Sequence, residues 1–292
     1  MKKIGVIGIK NAWSTDRLLE SIQQRVGQSF LIEMEKVHFD SYKNTVFYEN
    51  MDLSKFDAFI IKKISGEYSP DNYNKLDILR YLKEKHKIRI FSDPSRIMQL
   101  LNRIGCTITL QANNLPMPQT FITEDISEAC KTVKKFKKAV LKPLYSTKAK
   151  GMKVINEKSN ISKSVEEFVA EGNRTIYIQK MLDLADRDYG VVFIGEKYLA
   201  TYARLRSNSS WNTTTYSGGK YVKHEPSRQV LDIATRAREL FDLDFTSVDI
   251  AETNEGIFLF EVSAFGAFRG LMEANNIDAA DLYIEYVLKE IG

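Results

Sequence analysis

A lysine at the end of an apolar strand is the first residue of this chain with chemistry in view. Ala139-Val-Leu-Lys142 runs into Pro143 and then into a turn, Leu144-Tyr-Ser-Thr-Lys-Ala-Lys-Gly151, rich in hydroxyls and cations. An ammonium on such a strand is costly to bury without an anionic partner, and a phosphate is the natural one. Ser146 and Thr147 offer hydroxyls, Lys148 and Lys150 offer charge, and Gly151 permits a tight turn. Backbone amides of such a turn can converge on phosphate oxygens. Far downstream, Ser247-Val-Asp249-Ile and Phe258-Leu-Phe-Glu261-Val-Ser263 carry two carboxylates at the polar ends of apolar strands. Hard divalent cations find oxygen ligands in such places. Lysine, turn and paired acids together point to Mg-ATP.

The elements that must position these groups follow from periodicity. Residues 2–9 read as a strand of parallel type, 16–24 as a helix, 30–37 and 58–64 as strands, 72–85 as a helix opened by Ser69-Pro-Asp, and 88–91 as a strand before the turn Ser92-Asp-Pro94. This is a βαβ rhythm, and residues 1–95 are expected to form a small α/β domain. A helix over residues 94 to about 113 and the rigid connector Leu115-Pro-Met-Pro118 lead to a second unit, which opens with a strand at Thr120. A lysine-rich helix, the Lys142 strand and turn, a strand over 152–155, a helix over 165–171 and a strand over 175–179 follow. The last unit has strands over 190–195 and 197–204, a polar loop over 207–219, a helix over 227–240, the two acid-bearing strands and a helix over 278–290.

Composition narrows the function. With 292 residues the chain can bury a substantial core. Its longest apolar runs, such as Val191-Val-Phe-Ile194, are too short to span a bilayer, and Met1-Lys-Lys-Ile-Gly-Val-Ile starts a strand instead of a cleavable signal. A cytoplasmic protein is expected. Cys106 and Cys130 have neither metal-ligand spacing nor the density of a disulfide framework, and His38, His86 and His224 leave little room for zinc. A net charge of +4 does not call for nucleic acid, and the run Lys131 to Lys138 reads as the solvated side of an amphipathic helix.

The order of the chemical elements resembles that of RimK-type ATP-grasp ligases. In that family a strand delivers K-P-x-x-x-x-x-x-x-G, followed by a Q-x-(M/Y) hinge, a D-x-x-x-V-x-V-x-G-x-x-x-x-A strand pair, an arginine, a loop ending in G-G, and a metal site of V-D with E-V-(N). Here these read Lys142-Pro143 to Gly151, Gln179-Lys180-Met181, Asp188 to Gly195 with Ala200, Arg204, Gly218-Gly219, Val248-Asp249 and Glu261-Val-Ser263. The family's upstream nucleotide lysine falls at Asn102-Arg103, where Arg103 keeps a permanent cation. Lys142 to Met152, Trp211-Asn-Thr-Thr-Thr215 and Glu261 to Leu271 look, within this family, like the ATP-grasp protein of the bacterial GAK gene system.

The resemblance implies a Rossmann-like domain over 1–95, a small lid subdomain with its connecting helix over 96–180, and a C-terminal subdomain with the metal site over 181–292. It implies an ATP-dependent carboxylate-amine ligase that works through an acylphosphate on a peptide, a protein tail or a small carboxylate metabolite. Arg103, Lys142, Ser146, Thr147, Lys148, Lys150 and Gly151 would then meet ATP phosphates. Gln179, Lys180 and Met181 would form the adenine hinge, and Asp186 or Asp188 would bind ribose. Asp249, Glu261 and Ser263 would hold Mg²⁺, or Mn²⁺ in its place. Arg204 would bind the substrate carboxylate and the intermediate's oxyanion, aided by Arg269, while Trp211, Asn212, Thr213 and Thr214 would line the substrate loop. Related ligases often form dimers or tetramers, so a homo-oligomer is an expectation here.

Three departures fall on substrate more than on ATP. Gly190 stands where an arginine is common, Ser263 replaces the metal-site asparagine, and Asn212, Thr214 and Tyr216 replace frequent arginine, asparagine and histidine. Two alternatives therefore stand beside the ligase, namely direct phosphoryl transfer without amide formation and a nucleotide-binding partner protein without catalysis.

Overall fold

The computed structural model describes residues 2–207 and 210–292, so Met1 of the first expected strand and positions 208–209 of the polar loop lie outside the described residues. The chain begins with β1 (Ile4–Ile7), α1 (Trp13–Val26) and β2 (Phe30–Ile32). An antiparallel ribbon of β3 (Val37–Asp40), β4 (Thr45–Tyr48) and β5 (Met51–Asp52) precedes β6 (Ala58–Ile61), α2 (Asn72–His86) and β7 (Arg89–Phe91). Strands pair in the order β2-β1-β6-β7, all parallel. The central strands β1 and β6 are buried along their whole length, which is why they read as unbroken apolar runs. The strand expected over 30–37 stops at Ile32, because a 3₁₀ turn at Met34–Lys36 intervenes before β3.

The single helix expected over 94–113 is two helices, α3 (Pro94–Leu101) and α4 (Arg103–Ala112). Asn102 has extended backbone and its side chain accepts from the Gly105 amide, so it caps a new helix. The break makes Arg103 the first residue of α4, where its amide donates to the Leu144 carbonyl at 3.2 Å.

Beyond the connector come β8 (Thr120–Thr123), α5 (Ile126–Phe136), β9 (Lys138–Lys142), β10 (Lys153–Asn156), α6 (Ile161–Ala170) and β11 (Ile176–Lys180). The four strands form an antiparallel sheet, β10-β9-β11-β8, whose core against α5 and α6 includes Val133, Leu141, Val165, Phe168 and Ile178. The last sheet contains β12 (Arg187–Ile194), β13 (Lys197–Leu205), β14 (Lys220–His224), β15 (Phe245–Thr253) and β16 (Gly256–Ser263), in the order β14-β13-β12-β15-β16. Its helices are α7 (Arg228–Phe241), α8 (Phe268–Asn275) and α9 (Ala279–Glu290). Alternation sorts its strands between two cores: Val191 and Phe193 join the core that holds α7, while Val192 joins the one that holds α8 and α9. Both cores also take in residues of the parallel sheet. Among the described residues no helix is long and apolar enough to cross a membrane.

Candidate active site

Lys142 closes β9 with its side chain buried where the β10-β9-β11-β8 sheet meets the β14-β13-β12-β15-β16 sheet, 5.6 Å from the Phe260 ring centre. Its ammonium donates to Gln179 Oε1 at 2.5 Å, and the Gln179 amide is oriented by a second hydrogen bond to Thr120 Oγ1 at 3.1 Å. Burial, reinforced by the charge of Arg103, lowers the Lys142 pKa to about 7. Gln179 thus serves Lys142 through its side chain. The backbone amides of Lys180 and Met181 donate to Gln119 O and Lys138 O. Beside Gln179 and Lys180, this segment lines the neighbouring cavity with an apolar surface from Met181, Leu182 and Leu184, with Val140 and Met152 alongside. Such a surface suits a flat aromatic base.

The opposite wall is set by strand register. Asp188 faces Arg204 across β12 and β13, Gly190 faces Asp249 across β12 and β15, and Asp249 faces Glu261 across β15 and β16. Arg204 grips Asp188 with two prongs, Nε to Oδ1 at 3.0 Å and Nη2 to Oδ2 at 2.5 Å, and its Nη2 also lies 2.9 Å from Asp249 Oδ2. Arg103 Nη1 pairs with Glu261 Oε2 at 3.0 Å, while its Nη2 reaches Ser146. Burial pushes the Asp249 carboxyl up, and Arg204 opposes that shift. The Arg204 guanidinium is held well above its ordinary range, where the charges of Asp188 and Asp249 outweigh its burial.

These walls enclose a cavity of about 270 Å³ that brings together Arg103, Lys142, Ser146, Thr147, Lys148, Gln179, Lys180, Met181, Asp188, Arg204, Trp211, Asn212, Thr213, Thr214, Asp249 and Glu261. Lys150 and Gly151 lie behind it. Lys150 N closes a turn onto Thr147 O, and Gly151, at φ +68°, turns the chain back where a Cβ would sit 3.0 Å from the Pro143 ring. Asp186 is exposed and pairs with Arg206, whereas Asp188 lies beneath Arg204. Ser263 borders a separate cavity of about 70 Å³ shared with Glu261, Arg103 and Ser146. Arg269 lies in an outer cleft, 5.5 Å from the Trp13 ring centre and 3.6 Å from Glu273. Sequence reasoning missed Tyr221, from an unrecognised strand, and Phe260, although Phe260 stands next to Glu261 and its ring centre lies 5.6 Å from Lys142 Nζ. Gly190 also has a local cause, because a Cβ there would fall 2.2 Å from Tyr202 Cζ. Tyr202 fills the space that a larger residue at 190 would need.

Among the described residues no group of three or more His, Cys, Asp or Glu is placed to hold a metal alone. Two facing carboxylates beside a buried lysine fit an ion whose coordination shell is completed by ligand oxygens and water.

A model of the RimK-like ATP-grasp domain matches residues 92–287, and the chain belongs to that family. It is 25% identical over 297 residues to the tetrahydromethanopterin:alpha-L-glutamate ligase of Methanocaldococcus jannaschii, covering 99% of each chain. It is 24% identical over 234 residues to the alpha-aminoadipate–LysW ligase LysX of Saccharolobus solfataricus, covering 78% of this chain and 82% of that one. The solved structure of ATP-grasp ligase PsnB complexed with a minimal precursor matches with a TM-score of 0.77 at 15% identity, covering 100% of this chain and 99% of that one, a likeness of fold. The α/β and α+β expectation and the ATP-grasp expectation both stand. The chain is an ATP-grasp ligase that forms carbon–nitrogen bonds.

Proposed function

We propose that the chain joins a carboxylate to an amine through an acylphosphate, with ATP and Mg²⁺ in the cavity between the four-stranded antiparallel sheet and the five-stranded one. The observation that carries this reading is the confrontation of Lys142, buried with Gln179 as its hydrogen-bond partner, with the facing pair Asp249 and Glu261. In this reading residues 1–95 are a Rossmann-like domain, 96–180 the lid, and 181–292 the metal-bearing subdomain.

Lys142 and Arg103 would hold the nucleotide's phosphates, and Ser146 to Lys148, which line the same cavity, would close on them. Asp249 and Glu261 would hold the cation, whose charge would offset that of the phosphoryl group being transferred. The substrate carboxylate oxygen attacks the γ-phosphorus and ADP leaves. The amine nitrogen then attacks the acyl carbon, phosphate departs, and the amine's proton passes to phosphate or solvent. Arg204, already ligated by two acids, would act by orienting Asp188 and Asp249, and a substrate carboxylate has to share it with them. Trp211 to Thr214 would screen the acylphosphate from water.

The test is ADP and phosphate release with Mg-ATP, pooled acids and pooled amines, followed by mass spectrometry of the product. Release that needs both pools and yields a product lighter than its two parts by one water supports the ligase reading. A phosphorylated product without an amide would replace it with phosphoryl transfer.

A further inference from the structure

Beside the nucleotide cavity lies an open cleft of about 520 Å³ that shares Lys148, Thr215 and Tyr221 with it. Its charged residues are Lys148, Lys220, Arg269 and Glu273. Its three cations come from separate elements: the turn after Lys142, the first position of β14 and the first turn of α8. Glu273 is the one carboxylate, and it is engaged 3.6 Å from Arg269. Among the described residues Lys148 and Lys220 have no ion-pair partner. A further ammonium, Lys63, just past the carboxyl end of β6, is half-buried and held below its ordinary range by burial and by the charge of Lys148.

The backbone around the cleft is constrained. Lys148 sits in left-handed backbone at φ +55°, followed by Ala149 at +58°, a conformation that costs energy in a residue other than glycine. Arg269 lies against Trp13 and Glu273. The facing loop is tied to itself, because Asn212 Oδ1 accepts from both the amide and the hydroxyl of Thr214, and Thr214 Oγ1 reaches Ser217 Oγ at 3.1 Å. A Cβ on Gly219 would fall 2.3 Å from Thr213 O, which keeps that turn closed. Three cations against one acid at the mouth of a cavity leave a net positive field that attracts anions.

We propose that this cleft is a substrate subsite for an anionic group other than the carboxylate being activated, held by Lys148, Lys220 and Arg269. It rests on the ligase reading for its position along the reaction path. The substrate it selects bears a second carboxylate or a phosphomonoester, and Lys220 is its specificity-determining residue.

The experiment titrates the chain, loaded with Mg²⁺ and a non-hydrolysable ATP analogue, with glutarate, O-phosphoserine and butyrate by calorimetry at low salt. Glutarate or O-phosphoserine is expected to bind at least about tenfold more tightly than butyrate, and the tighter of the two identifies the anion. Lys220→Glu should remove that preference and Lys220→Arg should restore it, with the nucleotide titration reporting whether each variant is folded. Equal binding of butyrate, no binding of either dianion, or a preference untouched by Lys220→Glu overturns the proposal. Failure of the ligase reading looks different, because a chain that binds the dianion but releases no ADP with any amine keeps the subsite and loses the ligase.

Discussion

Nucleotide binding should take up a proton at Lys142. The buried ammonium has Gln179 as its hydrogen-bond partner and a pKa lowered to about 7. Phosphate oxygens would return it to its ordinary range or above. The sign follows from that direction. The binding free energy from this group is complete below pH 7 and is lost as pH rises, at about 1.4 kcal/mol, or tenfold, per unit. From about pH 7 to about pH 9 the apparent affinity for a Mg²⁺-bound ATP analogue should fall roughly fiftyfold, since a half-protonated lysine becomes about one-hundredth protonated. Asp249 works in the opposite direction, because burial raises its carboxyl and a divalent cation would displace its proton. Lys142→Arg separates the two, since a guanidinium stays charged throughout. Calorimetry in two buffers of different ionisation enthalpy measures the protons directly. The same pH slope in wild type and Lys142→Arg would refute the argument.

Glu261→Gln removes a carboxylate from the expected cation site and leaves Arg103, whose side chain is 8% exposed, without its ion-pair partner. ADP release should fall by at least about a hundredfold, with a higher Mg²⁺ requirement, as measured by a coupled assay. Gly190→Ala forces a methyl group to within 2.2 Å of the buried Tyr202 ring. Chemical denaturation should show a loss of about 1–3 kcal/mol, and an unchanged midpoint would mean that the ring moves freely. Asn102→Ala deletes the cap of α4 and should cost about 1 kcal/mol, with a weakened nucleotide titration because Arg103 follows it directly.

What could be read from the sequence depended on whether a residue's type alone constrained its surroundings. Lys142, Asp249 and Glu261 stood out because charge on an apolar strand needs a partner, and the structure places all three on one cavity. The parallel strands were legible for a related reason, since β1 and β6 are apolar on both faces. Partners fixed by register were not legible. That Asp188 lies opposite Arg204, and Gly190 between Tyr202 and Asp249, follows from how β12, β13 and β15 align, which no local pattern specifies. The ribbon β3–β5 and the strand β14 were passed over because they are short and partly exposed. The break before Arg103 escaped because apolar residues continue at helical spacing through it, and one asparagine side chain decides the matter.

The two arginines give this site a property that neither strand pattern nor composition contains. Arg103 and Arg204 each neutralise an acid expected to meet the cation, and each is tied to a second element: Arg103 to the turn after Lys142 through Pro143 and Ser146, Arg204 to β12 through Asp188. A cation arriving at Asp249 and Glu261 therefore competes with two existing ion pairs, and the guanidinium it releases from Glu261 stands beside the turn that would meet the phosphates. Metal and nucleotide should consequently bind better together than apart, since each relieves a charge the other exposes. Nucleotide affinity measured with and without Mg²⁺ in wild type and in Arg103→Met tests this. The gain from Mg²⁺ should shrink in the variant, and an unchanged gain would locate the coupling in the ion alone.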